Sequence, residues 1–162
     1  QYEINMLTAM TLSLVRMLDP GTLMNACYES FLIHARQLIW FLENHPRLKD
    51  TDIIASDYLA DKTSYSAQRP PSLNSVIDAT ETRLVHLTTL HTLPAPAVNC
   101  VDAACEIQAW FTRFVKVADH TLLHPKVVAL VSGWKSGNTI ISLSPVSTPS
   151  MSAVPDAIKL YR

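Results

Sequence analysis

The chain has 162 residues, with 13 basic and 14 acidic side chains and a formal net charge of −1. That length fits one domain able to bury a core, and the near-neutral balance excludes a global basic field for nucleic acid. Three glycines against ten prolines disfavour an all-β fold rich in tight hairpins, and three cysteines, an odd number, point to reduced thiols and a cytoplasmic location rather than a disulfide framework.

Residues 2 to about 18 carry Ile4, Leu7, Thr11, Leu14, Val15 and Leu18 at helical spacing. Asp19-Pro20-Gly21 stops this first helix, and so short a connection makes the next helix its antiparallel neighbour. That second helix, from Asn25 to about Asn44, is the longest apolar run and contains no Gly or Pro. It is apolar nearly all round, so it reads as the central helix of a bundle. Its polar interruptions argue against a membrane span. With Glu29 at zero on a helical wheel, Arg36 falls at about −20°, Gln37 at about 80°, Ser30 at about 100° and His34 at about 140°. The polar groups then share one arc. Glu29, His34 and Arg36 need partners if buried.

His45-Pro46 ends the central helix. Asp50 or Thr51 is expected to cap a short helical turn near 51–59, and 60–71 reads as a loop. Ser72 or Asn74 is the expected cap of a third helix reaching about Thr92. Leu93-Pro94-Ala95-Pro96 breaks the chain before a fourth helix, from about 97–99 to Asp119. Its Trp110, Phe111 and Phe114 read as core, or as a dimer face if left exposed. His124-Pro125 makes a joint, and residues 126–131 can add a short turn or helix. From Gly133 the sequence is rich in Ser and Pro. The expected division is a helical domain over 1–132 and a loosely ordered tail over 133–162.

On the third helix Arg83 lies in the stripe of Val76, Leu87 and Leu90, with His86 on its edge. A guanidinium in an apolar stripe needs an anion, and Glu29 is the predicted partner. The cluster Glu29, His34, Arg36, Arg83 and His86 has two readings. One is a structural set of buried pairs that fixes helix register. The other is a groove in which arginine forks hold phosphate and histidine moves a proton.

The run Glu29-Ser30-Phe31-Leu32-Ile33-His34-Ala35-Arg36-Gln37-Leu38 resembles the E-S-F-L-x-H-A-R-x-L helix of a family of small uncharacterised bacterial proteins. In that family a D-D-x-x-A-x-D-Y stretch and then N-K-x-x-A-H-L-T-x-x-R follow. Here Thr51 to Tyr58 and Thr82 to His91 are similar to them. The helical layout is also similar to HEPN domains, many of which are dimeric, metal-independent ribonucleases. Their motif places a His four to six residues after an Arg and a polar residue. Here His86 stands closer to Arg83 and His91 farther from it.

No glycine-rich phosphate loop, GxSxG elbow or HExxH motif is present. Asp50, Asp52, Asp57 and Asp61 lack EF-hand spacing, and no Cys or Cys/His pair has zinc spacing. No signal-peptide pattern opens the chain. Neither metal nor cofactor is expected. The expectation is an all-α, four-helix up-and-down bundle with a short extra turn. Its function would be that of a non-catalytic interaction or structural module, a homodimer with a further protein partner and no membrane contact. The alternative is a HEPN-like ribonuclease or nucleotide-binding protein, acting on RNA or a nucleotide through Arg83, His86 and His34.

Overall fold

The structure is a computed structural model that describes residues 2–16, 22–44, 46, 49–82 and 98–135. The described residues are all-α and contain no strand. Five α-helices are present among the described residues: α1 Tyr2–Arg16, α2 Thr22–Leu42, α3 Asn74–Thr80, α4 Cys100–Val117 and α5 Pro125–Lys135. Short 3-10 turns occupy Ala55–Tyr58, Lys62–Ser64 and Pro71–Leu73.

The central helix is central in space as well as in sequence. α2 packs against α1, α3 and α4. Its Phe31, Leu32, Ala35, Ile39 and Leu42 are wholly buried. They meet Val76 and Ala79 of α3 and Ile107, Trp110 and Phe114 of α4 in one continuous core. The Trp110-Phe111-Phe114 stripe is therefore core and not a dimer face. Packing of this kind, rather than intrinsic propensity, supplies most of a helix's stability in a protein.

Several ends differ from the expected ones. α4 is capped by Asn99, a cap the sequence reading did not name, whose side chain accepts from the N–H groups of Val101 and Asp102. Neither Ser72 nor Asn74 caps α3; the chain enters it from the Pro71–Leu73 turn, and Leu73 at the cap position offers no side-chain bond. Neither Asp50 nor Thr51 caps the turn at Ala55–Tyr58. Asp57 does the work from inside, accepting from the Ile54 N–H at 3.0 Å. The fifth helix runs for 11 residues, straight through Gly133. The boundary expected at 133 thus falls inside α5, because Trp134 packs against Phe111 at 6.3 Å between ring centroids and carries the helix on. The rest of the expected third helix and the residues beyond 135 lie outside the described residues.

The C-terminal end of α2 is held from a distance. Asn44 adopts the left-handed conformation at φ 53°, and its side-chain oxygen accepts from the Ser56 N–H at 2.8 Å. Tyr65 donates its hydroxyl to the Leu42 carbonyl at 2.8 Å. Burial pushes that hydroxyl well above the usual tyrosine range, so it stays a donor. Arg69 pairs with Glu43 at 3.0 Å. Asp61 and Asp119 each close a small turn by accepting from the Thr two residues on. In both, the bond from the Thr hydroxyl and then that from its N–H hold the carboxyl below the usual range.

Candidate functional site

The polar groups of α2 do not form one cluster. His34 lies on the side that packs against α1, and Arg36, two residues on, turns away by about 200°. The shared arc expected from the wheel is divided between a helix–helix contact and an outer face.

On the inner side, His34 Nδ1 lies 2.6 Å from Glu3 Oε2. The edge of the Tyr2 ring meets the imidazole at 5.6 Å and 78°. The His34 side chain keeps 12% of its surface exposed, and Glu3 keeps 38%. Glu3 opens α1 and His34 sits in the second half of α2, so the two helices run antiparallel. The carboxylate that His34 finds is thus Glu3, a residue the sequence reading missed. A signal for it existed. Glu3 and His34 are almost equidistant from Asp19-Pro20, and in an antiparallel hairpin such positions face each other.

On the outer side, the Arg36 guanidinium lies over the Trp40 ring, 4.2 Å from its centroid. This one-turn stacking is a cation–π contact. Arg36 Nε is buried without a hydrogen-bond partner among the described residues. Glu29 is exposed. That corrects the expectation that Glu29 is buried; its predicted pairing with Arg83 lies outside the described residues. Arg83 and His86 lie outside the described residues, as does His91.

A small, shallow cleft opens between α1, α2, α4 and α5. Ile4, Leu7, Leu38, Ile107 and Phe111 make it mainly apolar, with Thr8, Gln108 and Trp134 at its sides. The Trp134 indole N–H is also buried without a partner among the described residues. None of the expected polar residues that are described, Glu29, His34 and Arg36, lines this cleft. Among the described residues no cluster of His, Cys, Asp and Glu is arranged to hold a metal, and no helix is long and apolar enough to cross a membrane.

The thiols have distinct environments. Cys27 is buried, Cys100 is half-buried and Cys105 is exposed. Burial pushes the Cys100 thiol up to about 12. Cys100 therefore holds its proton at pH 8, and the reactive form of a cysteine is the thiolate. Burial and then the nearby Asp102 carboxylate raise Cys105 as well, yet it faces solvent. We expect a disulfide reagent at pH 8 to modify Cys105 first and to reach Cys100 and Cys27 only on unfolding. Peptide mapping that finds Cys100 modified before Cys105 would contradict this order.

Compared with protein-family models, with curated proteins and with solved structures, the chain finds no match.

Proposed function

We propose that this protein is a non-catalytic interaction module, a homodimer that also engages a further protein partner in the cytoplasm. The observation that carries the reading is the His34–Glu3 contact. The one histidine of the expected cluster that is described is committed to a helix–helix joint. It also touches Tyr2 by a ring edge, so it acts as a spacer that sets how α1 lies on α2. The same reading takes α1, α2, α3 with its continuation, and α4 as an up-and-down bundle, with α5 as an added brace.

One observation favours the second reading, a HEPN-like metal-independent ribonuclease or nucleotide-binding protein. Arg36 has a buried N–H without an acceptor among the described residues, and guanidinium donors suit phosphate. In that reading Arg83 would hold the phosphate and His86 or His34 would move the proton. The test is cleavage of several RNAs by the purified full chain in EDTA, beside His86→Ala and His34→Ala. The interaction module predicts no cleavage by any of the three. Cleavage that disappears in His86→Ala, with helical content unchanged, would overturn it in favour of the ribonuclease.

A further inference from the structure

We draw no further inference here: the strongest candidate, the small apolar cleft beside Trp134 between α1, α2, α4 and α5, is an unpartnered surface, and nothing among the described residues shows what covers it.

Discussion

Phe114→Ala should destabilise the protein by about 4 kcal/mol, the usual range for emptying a buried phenylalanine site. Phe114 is wholly buried. Its ring meets the edges or faces of four others: Phe41 at 5.3 Å, Phe111 at 5.6 Å, Tyr65 at 5.7 Å and Tyr58 at 6.4 Å. These rings come from α2, α4, the Ala55–Tyr58 turn and the segment after Lys62–Ser64. Removing the hub leaves a cavity whose walls belong to different elements, so they cannot close together around it. Against a typical total stability of about 5–15 kcal/mol, the loss is a large fraction. In urea it should lower the unfolding midpoint by about 2 M. Phe114→Leu keeps most of the volume and should cost less than half as much. A loss below about 1 kcal/mol for Phe114→Ala would mean that the aromatic cluster is not the core's centre.

Asn44→Ala should cost about 2–3 kcal/mol, although the residue is only half-buried. Two losses combine. The left-handed backbone at φ 53° disfavours a residue with a plain Cβ by about 1–2 kcal/mol, and Asn tolerates it better than most. The Ser56 N–H also loses its acceptor, which costs about another 1 kcal/mol. Asn44→Gly separates the two, since glycine takes positive φ freely but offers no side-chain oxygen. It should therefore be less damaging than Asn44→Ala. Equal stabilities of the two variants in thermal unfolding would assign the whole effect to the hydrogen bond.

The helical periods of α1 and α2 were readable in sequence because buried positions recur along each, and burial leaves a period. The start of α4 was readable to within 97–99 from the prolines before it, although the Asn99 cap itself was not named. Other features depend on which distant segments meet. Asp57 turns back to Ile54 while the Asn44 side chain binds Ser56, and no spacing near Asp50 announces either bond. Gly133 reads as a break, since glycine weakens a helix by about 1 kcal/mol relative to alanine, yet the contact of Trp134 with Phe111 overrides it. The grouping of His34 with Arg36 failed for a different reason. A wheel gives angles but no neighbours, so it grouped His34 with Arg36 although α1 takes one of them and the outer face keeps the other. Where α1 provides Glu3, the hairpin's symmetry about Asp19-Pro20 was the missing clue.

The ties between the end of α2 and the long connection after it also shape how the protein opens. Helix ends ordinarily fray one residue at a time. Here Leu42, Glu43 and Asn44 are bound by Tyr65, Arg69 and Ser56, which lie 12 to 26 positions along the chain. Releasing the last turn of α2 therefore releases the 55–69 segment with it, and neither can loosen alone. A connection with little regular structure becomes part of the same cooperative unit as the central helix. Its backbone amides should therefore exchange with solvent more slowly than those of an untied surface loop, which hydrogen exchange would measure.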